Sequence, residues 1–366
     1  MARCYDFLIV GAGFAGSVLA ERLHSVGKKV LVIDKRNHIG GNCYDFYDEN
    51  GVLVHKYGPH YFRTNENEVI NYLSQFTEWH HHYYKVRVSI KGKLYTFPIN
   101  ISTINEFFSL NLKTPEDMKN FLETKRIKIE NPQNAEEYLI SEIGEELYEA
   151  FFKNYTIKQW GVHPKELDIS VVKRIPIRYN FNDNYVEESF QAMPKDGYHK
   201  LFERMLKNIP VELGVNFKDV KDLIKYKKLI YTGPMDEFFD YKYGKLKYRS
   251  LRFVYERYDI EYYQQWGQIN YPNEYEFTRI VEIKHVTGQK IPRTTIVKEY
   301  PCDEGDPYYP FPNPVQYSIY AKYKEEADKL KNVYFIGRLA EYRYLNMDQV
   351  IKNALQLFKK ILIDIK

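Results

Sequence analysis

One stretch of the sequence decides the fold: Tyr5-Asp6-Phe7-Leu8-Ile9-Val10-Gly11-Ala12-Gly13-Phe14-Ala15-Gly16. Its first half is an apolar run that predicts a buried strand, and its second half is the pattern Gly-x-Gly-x-x-Gly. A helical pattern follows from Ser17 to Leu23, and a second apolar run over residues 29–33 ends at Asp34. Strand, glycine turn, helix, strand and acid in this order predict a βαβ unit that binds a dinucleotide, with Asp34 placed to accept hydrogen bonds from a ribose.

Each glycine of the turn has its own expected role. Gly11 permits the tight turn, Gly13 lets a pyrophosphate approach the backbone, and Gly16 lets helix and strand pack closely. The N-terminus of the helix that follows the turn offers unpaired N–H groups and a partial positive charge to the phosphates.

The composition restricts the kind of protein. The chain has 366 residues, which suggests two or three domains, and a formal net charge of +4, which suits an anionic small ligand better than nucleic acid. No apolar run approaches the ~20 residues of a membrane span, and a fold-forming strand stands where a signal peptide would. The three cysteines lie far apart, so we expect a reducing cytoplasm and no metal site, and we assign His80-His81-His82 to the surface.

The middle of the chain predicts a hairpin followed by helices. Residues 86–99 alternate around Lys91-Gly92-Lys93, which indicates a β-hairpin. Thr114 is placed to cap a helix, and apolar residues recur at helical spacing over 139–152. Residues 170–187 lose this periodicity and are predicted to form a loop.

The second half predicts further strands and a closing helix. In chain order we expect a helix over 197–209, extended chain over 211–217, strands over 228–232, 278–285, 294–300 and 333–336, and a helix over 350–362. The strands between 246 and 301 indicate an antiparallel sheet, and the last strand and helix indicate a return to the first βαβ unit.

With these elements in place, the sequence resembles the UDP-galactopyranose mutase family of bacterial type, nearly from end to end. The resemblance is carried by Arg36-Asn37-His38-Ile39-Gly40-Gly41-Asn42, His55-Lys56-Tyr57-Gly58, Tyr155-Thr156-Ile157-Lys158-Gln159-Trp160-Gly161, Lys173-Arg174-Ile175-Pro176, Tyr231-Thr232-Gly233-Pro234, Gly305-Asp306-Pro307-Tyr308-Tyr309-Pro310 and Gly337-Arg338-Leu339-Ala340-Glu341-Tyr342. The blocks at 158–161 and 337–342 together are highly specific.

The resemblance implies a cytoplasmic flavoenzyme, commonly a homodimer, that interconverts UDP-galactopyranose and UDP-galactofuranose. Its cofactor would be FAD, active when reduced, and its chemistry covalent catalysis through N5 of the flavin without net redox change. The UDP-sugar is its implied partner; nucleic acid and a membrane span are not expected.

The resemblance also implies an α/β fold in three parts. The expected division is a discontinuous Rossmann-like FAD-binding domain at 1–75, 188–236 and 326–366, a helical-bundle domain at 101–170 followed by a lid loop at 171–187, and an antiparallel β-sheet domain at 76–100 and 237–325.

Residue roles follow from the matching motifs. Arg174 in the lid and Arg279 on a strand match the family's diphosphate-binding arginines, whose forked guanidinium suits phosphate oxygens. His60 would lie beside the reactive edge of the flavin. The remaining implied substrate-binding residues are Arg63, Tyr84, Phe152, Tyr155, Thr156, Trp160, Tyr185, Asn270, Tyr309 and Tyr344. A purely structural role for Phe152, on the apolar face of its helix, stays open.

The implied cofactor-binding residues lie in the glycine turn, after the second strand and near the C-terminal end. They are Gly11, Gly13, Phe14, Ala15, Gly16, Asp34, Lys35, Gly41, Asn42, His60, Phe217, Gly337, Arg338, Asn346, Met347 and Gln349.

Three positions depart from the family pattern where a substrate would be recognised. Arg63 stands in place of a histidine, Tyr84 in place of an asparagine and Asn346 in place of an aspartate. A charged donor at Arg63 could hydrogen-bond the carbonyl of an N-acetyl group, so we hypothesise that UDP-N-acetylgalactosamine is also a substrate. Neutral drift is the alternative.

Two other functions compete with a mutase. A redox flavoprotein, such as an amine oxidase or dehydrogenase, could use the same scaffold, but Arg174, Arg279 and Tyr309 suit a diphosphate and serve no purpose for an amine. A nucleotide-sugar-binding protein without catalysis would have little use for a lid.

Overall fold

The computed structural model describes residues 4–364, whose strands form four sheets that are joined by helices and loops. The described strands are β1 (Cys4–Val10), β2 (Val30–Asp34), β3 (Asp45–Tyr47), β4 (Leu53–His55), β5 (Phe62–Thr64), β6 (Trp79–His81), β7 (Val86–Ile90), β8 (Lys93–Phe97), β9 (Phe190–Pro194), β10 (Val211–Leu213), β11 (Lys225–Tyr231), β12 (Tyr248–Tyr258), β13 (Gln268–Asn270), β14 (Arg279–Val281), β15 (Thr294–Cys302), β16 (Tyr309–Pro310) and β17 (Val333–Phe335).

The described α-helices differ widely in length, and the longest closes the chain. They are α1 (Phe14–Ser25), α2 (Asn67–Leu73), α3 (Ile101–Phe108), α4 (Pro115–Glu123), α5 (Ala135–Ile143), α6 (Glu145–Leu147), α7 (Asn154–Trp160), α8 (Ser170–Lys173), α9 (Gly197–Met205), α10 (Phe217–Val220), α11 (Met235–Phe238), α12 (Lys284–Thr287), α13 (Pro314–Ala327) and α14 (Met347–Asp364). A π-helix, Tyr148–Lys153, joins α6 to α7, and short 3-10 helices lie at Gly41–Cys43 and Pro164–Glu166.

A parallel sheet organises the first part of the fold, with five strands in the order β10-β2-β1-β11-β17. Its central strand β1 carries Leu8 and Ile9, which are fully buried, as the continuous apolar run predicts. Helix α1 packs against α14. Because the five strands come from three separate chain segments, the predicted discontinuous Rossmann-like unit is confirmed.

At two of its three glycines, the turn after β1 leaves no space for a side chain. Gly11 has φ +105°, and a Cβ placed on it would lie 2.0 Å from the hydroxyl oxygen of Thr232. A Cβ on Gly16 would lie 1.9 Å from the carbonyl oxygen of Gly11. Helix α1 therefore begins directly against the end of β1.

The second large sheet is mixed, not purely antiparallel as the sequence analysis expected. Its seven strands follow the order β16-β12-β15-β14-β13-β7-β8, and the pair β13·β7 is parallel. These two strands are joined by a long connection through the helical region, so no hairpin forces them to be antiparallel. The predicted hairpin β7–β8 is confirmed, with positive φ at Lys91 and Gly92 as a type I′ turn requires.

A third sheet has three strands in the order β5-β9-β6. Strand β6 pairs with β9, which also pairs with β5. Residues 76–100 were predicted to belong to the large sheet, but β6 within them pairs with β9. The division into domains stays a prediction.

One predicted helix is interrupted, and several predicted elements end a few residues from where the structure ends them. The helix expected over 139–152 is interrupted at Gly144, which has φ +81°. The first residues of the expected lid belong to the helical turn α8, the extended segment after Val211 ends before α10, and the strand expected to reach His285 ends at Val281. Local pattern does not fix these ends, because tertiary packing decides where hydrogen bonding stops.

Two expectations concern what the chain lacks. Within residues 4–364, none of the helices combines the length and the apolar character needed to cross a bilayer. In the same residues no group of three or more His, Cys, Asp and Glu side chains is arranged to hold a metal ion.

We predict that Gly16→Ala destabilises the protein, because the new methyl group meets a backbone oxygen that cannot move without displacing β1. The free energy of unfolding should fall by about 1–3 kcal/mol in urea titrations of the cofactor-free protein. Gly13→Ala is the matched control, since the nearest atom to its Cβ is 3.6 Å away. Equal stability of the two variants would contradict this assignment.

Candidate active site

The first cavity lies beyond the carboxyl ends of β1, β2, β11 and β17, where open α/β sheets bind their ligands. We call it the glycine cavity. Of the predicted cofactor-binding residues, its lining includes Gly11, Gly13, Phe14, Ala15, Asp34, Lys35, Gly41, Asn42, His60, Phe217, Gly337, Arg338 and Met347. Gly16 lies outside the lining and acts through packing. Asn346 and Gln349 line neighbouring spaces.

The glycine cavity has the form that a dinucleotide requires. A Cβ on Gly41 would lie 3.0 Å from the Cα of Gly13, so the two glycines face each other and only their lack of side chains opens a cradle for a pyrophosphate. Asp34 is held in place because its carboxylate accepts from the backbone N–H groups of Ala12 and Arg36, each at 2.8 Å. A carboxylate oxygen can accept a further hydrogen bond, so a ribose contact stays available.

The second cavity, which we call the inner cavity, lies between the large mixed sheet, helix α7 and the segment after α8. Among its lining residues are the predicted Arg63, Phe152, Tyr155, Thr156, Trp160, Arg174, Tyr185, Asn270, Arg279, Tyr309, Tyr344 and Asn346. Asn42, His60, Arg338 and Met347 line both cavities, so the two spaces meet at these residues. The structure thus brings residues from all parts of the chain to one junction.

Arg279 is held by a buried carboxylate. Its Nε donates to Glu299 Oε2 at 2.7 Å, and Glu299 is only 1% exposed. Glu299 Oε1 has no hydrogen-bond partner within residues 4–364. The pair fixes the guanidinium at the wall and leaves its remaining N–H groups available to a ligand.

Two other guanidinium groups lie close to one tyrosine ring. The Cζ atoms of Arg174 and Arg338 lie 4.5 and 4.8 Å from the ring centre of Tyr344. Within residues 4–364 neither arginine has a carboxylate ion-pair partner. Desolvation opposes ionisation of the Tyr344 hydroxyl, but the charges of Arg174 and Arg338 outweigh it and lower its pKa to about 8. The Tyr309 ring stacks on Tyr344 at 5.4 Å, so the cluster presents positive charge and hydroxyl donors together.

His60 is a neutral group at the junction. Its Nδ1 lies 2.8 Å from the carbonyl oxygen of Gly58, so Nδ1 carries the proton and Nε2 can accept. Burial lowers the pKa of His60 to about 4, and the charges of Arg338 and Arg279 act in the same direction.

Gln268 lines the inner cavity and is not among the residues predicted from the sequence. Its Nε2 donates to Asn270 Oδ1 at 2.9 Å, while its own Oε1 is buried without a partner in the described chain. Residues two apart on a strand share a face, so the spacing to Asn270 could have identified it. Thr232, in the glycine cavity, was also missed as a site residue although its motif was recognised.

Tyr84 was predicted to contact the substrate, and this is wrong. The side chain is 1% exposed, and its hydroxyl donates to the carbonyl oxygens of Phe62 and Ala192. Its ring stacks on Tyr61, which does line the inner cavity. Tyr84 is buried against strands β5 and β9 of the three-stranded sheet and therefore supports Tyr61 in the cavity wall without lining the cavity itself.

Arg63 lies at the mouth of the inner cavity. It also lines an adjoining outer groove, which includes Lys173, Glu188 and Arg343. Arg63 Nε forms an ion pair with Glu188 Oε1 at 3.1 Å. The ion pair orients the Arg63 guanidinium at the mouth of the inner cavity, where its other N–H groups can donate to a bound ligand.

The chain is similar to known proteins over nearly its whole length. The family model described as UDP-galactopyranose mutase matches residues 150–344, and one described as an NAD(P)-binding Rossmann-like domain matches residues 9–76. A probable UDP-galactopyranose mutase of Klebsiella pneumoniae is 41% identical over 359 residues, covering 96% of this chain and 93% of that protein. A dTDP-fucopyranose mutase of Escherichia coli is 40% identical over 362 residues, covering 95% and 96%.

A solved structure has the same fold. A reduced UDP-galactopyranose mutase matches with a TM-score of 0.77 at 17% identity, covering 98% of this chain and 95% of that one.

We predict that His60 makes stability depend on pH in the acidic range. The unfolded chain takes up a proton near the ordinary pKa of 6.5, whereas the folded protein does so only near pH 4. The free energy of unfolding should therefore fall as pH decreases from about 6.5 to 4, and His60→Gln should remove part of this slope. Urea titrations of the cofactor-free protein at several pH values measure it. The exposed His24→Gln is the control, and an unchanged slope in His60→Gln would refute the assignment.

Proposed function

The chain belongs to the UDP-galactopyranose mutase family, whose members are FAD-dependent isomerases of nucleotide sugars, and we propose its substrate on that basis. We propose that it interconverts UDP-galactopyranose and UDP-galactofuranose. The observation that carries the proposal is the junction of the two cavities. A cradle for a dinucleotide meets an enclosed space whose walls bear guanidinium groups and tyrosine hydroxyls.

The cofactor would be held by backbone and by one carboxylate. Gly13, Gly41 and the N-terminus of α1 would face the pyrophosphate, and Asp34 would hold a ribose. Reduced FAD, when bound, supplies a nucleophilic N5 atom. His60 and Arg338 line both cavities and would therefore lie where cofactor and sugar meet.

The arginines would bind the diphosphate and stabilise it as a leaving group. Arg279, oriented by Glu299, and Arg174, above Tyr344, stay positively charged at any working pH. Negative charge grows on the departing diphosphate, and fixed charges in an enclosed cavity stabilise that change strongly. Since the pKa of Tyr344 is about 8, its hydroxyl stays mostly protonated near pH 7 and can donate to a phosphate oxygen.

The segment after α8 would exclude water from the reacting sugar. Arg174 ends this helical turn and lines both the inner cavity and the outer groove, so it lies at the entrance. Opening of this segment would admit the substrate, and closure would bring the guanidinium to the diphosphate. The lid function remains a proposal.

The base would be held by aromatic side chains. Tyr185, Phe152 and Phe97 line the inner cavity and pack near one another. Phe152 belongs to a π-helix, a form that is frequent at functional sites. Phe152 is buried in the core and also lines the inner cavity, so it can stabilise the fold and contact the base at the same time.

The choice of sugar is the finer part of the proposal. The relatives from K. pneumoniae and E. coli are about equally identical to this chain, but they are named for different nucleotide sugars. Overall identity therefore does not decide the substrate. In this chain Arg63, paired with Glu188, would hydrogen-bond the carbonyl of a 2-acetamido group. We therefore propose UDP-N-acetylgalactosamine as a second substrate. The redox alternative is less favoured, because the arginine and tyrosine cluster suits a diphosphate.

The cytoplasmic location and the homodimer implied by the resemblance remain predictions.

Product analysis tests the proposed function. The dithionite-reduced holoenzyme is given UDP-galactose, UDP-N-acetylgalactosamine or dTDP-fucose, and the products are separated by chromatography. We expect furanose product from the UDP-sugars without consumption of reductant. Stoichiometric oxidation of the flavin, or turnover of dTDP-fucose alone, would refute the proposal.

We predict that Arg174→Lys and Arg279→Lys each lower kcat/KM by about 10²-fold or more, because a lysine keeps the charge but loses the forked geometry. Steady-state assays on the reduced enzyme measure the change. Arg293→Lys is the control, since Arg293 pairs with Asp259 away from both cavities. Near-normal activity in both site variants would contradict their role.

We predict that Arg63→His lowers kcat/KM for UDP-N-acetylgalactosamine relative to UDP-galactose by about 10-fold, the effect of losing one charged hydrogen bond. Arg343→His, in the outer groove only, is the control. An unchanged ratio in Arg63→His would mean that this position does not recognise the N-acetyl group.

A further inference from the structure

The block Lys158-Gln159-Trp160-Gly161 contains two residues that do not line the inner cavity, Lys158 and Gly161. Gln159 and Trp160 do line it. We infer that Lys158 is a positioning residue that fixes the spacing between the two walls of the inner cavity; this inference rests on the proposed function.

Lys158 ties helix α7 to the connection between β13 and β14. Its ammonium group donates to the carbonyl oxygens of Tyr271, of Tyr275 at 2.8 Å and of Phe277 at 3.2 Å. An ammonium group has three N–H donors, so these three carbonyls satisfy it completely. Within residues 4–364 Lys158 forms no ion pair, which indicates that it acts through geometry and not through a charged partner.

Both segments that Lys158 joins carry or adjoin residues that line the inner cavity. On one side, α7 carries Tyr155, Thr156 and Trp160. On the other, the connection begins after Asn270 and ends just before Arg279. A shift of the connection would therefore move the diphosphate-binding arginine relative to the aromatic wall.

A weaker second tie joins the same two segments. Asn154 Nδ2 donates to Asn273 Oδ1 at 2.9 Å, and Asn273 Nδ2 donates to the carbonyl oxygen of Ala150 at 3.0 Å. Asn273 is exposed, so its side chain can be removed without opening a cavity in the core.

Arg249 holds the C-terminal end of α7 from the other side. Its Nε donates to the carbonyl oxygen of Gln159 at 2.9 Å and its Nη2 to that of Lys158 at 3.1 Å, where a cation complements the helix dipole. Gly161 has φ +72°, and a Cβ on it would lie 2.8 Å from Arg249 Nη1. The glycine thus ends the helix and leaves space for the arginine, which explains the last residue of the block.

The chain provides a matched control for Lys158. Lys284 is more deeply buried than the half-buried Lys158, and its ammonium group likewise donates to three carbonyl oxygens, those of Glu261, of Ile291 at 2.8 Å and of Arg293 at 3.0 Å. It is 1% exposed and lines neither cavity. Its removal should therefore reduce stability without changing the spacing of the cavity walls.

The test is UDP binding to the oxidised FAD-loaded protein, measured by calorimetry for the wild type, Lys158→Met, Asn273→Ala and Lys284→Met. We expect Lys158→Met to retain FAD and to raise both the Kd for UDP and the KM for UDP-galactose by about 10-fold or more, since small displacements at a binding site have large effects. Asn273→Ala should shift both constants in the same direction by a smaller factor. Lys284→Met should lower the Tm and leave both constants within 2-fold of the wild type.

Two results would overturn the inference. A folded Lys158→Met with wild-type UDP affinity would show that the lysine only stabilises the fold, and if that variant does not fold, wild-type UDP affinity in Asn273→Ala has the same meaning. Failure of the wild type itself to bind UDP would instead overturn the proposed function, and the inference with it.

Discussion

Between Gly16 and the carbonyl oxygen of Gly11 there is space for a hydrogen atom and nothing larger, because a Cβ would lie 1.9 Å from that oxygen. The start of α1 therefore lies against the end of β1, and its free N–H groups face the space beyond the sheet. A second close approach, between Gly13 and Gly41, keeps that space open. The cavity that these contacts shape meets the inner cavity at Asn42, His60, Arg338 and Met347.

Charge is distributed unequally at the junction of the two cavities. Arg63 and Arg279 each have a carboxylate partner, whereas Arg174 and Arg338 both lie close to the ring of Tyr344. The enclosed space therefore keeps net positive charge, which a diphosphate would neutralise on binding.

The walls of the inner cavity come from separate parts of the fold, and polar side chains hold them together. Lys158 and Asn273 join helix α7 and the preceding π-helix to the connection between β13 and β14, and Arg249 of β12 joins the end of α7 to the large sheet, each through main-chain carbonyls. Such contacts have defined lengths and directions, whereas apolar packing tolerates sliding. A site that must place a sugar accurately beside a cofactor benefits from this rigidity.

The sequence by itself determined the βαβ unit, its glycine turn with Asp34, and the hairpin at 86–97, because glycine spacing and strand alternation are local signals. The resemblance then related distant residues such as Arg174 and Tyr344 to one site. Only the tertiary structure decided that Tyr84 is buried, that β7 and β13 pair in parallel, and that Glu299 holds Arg279. Each of these depends on segments far apart in the chain, and local periodicity carries no information about which distant partner completes a ladder, a core contact or an ion pair.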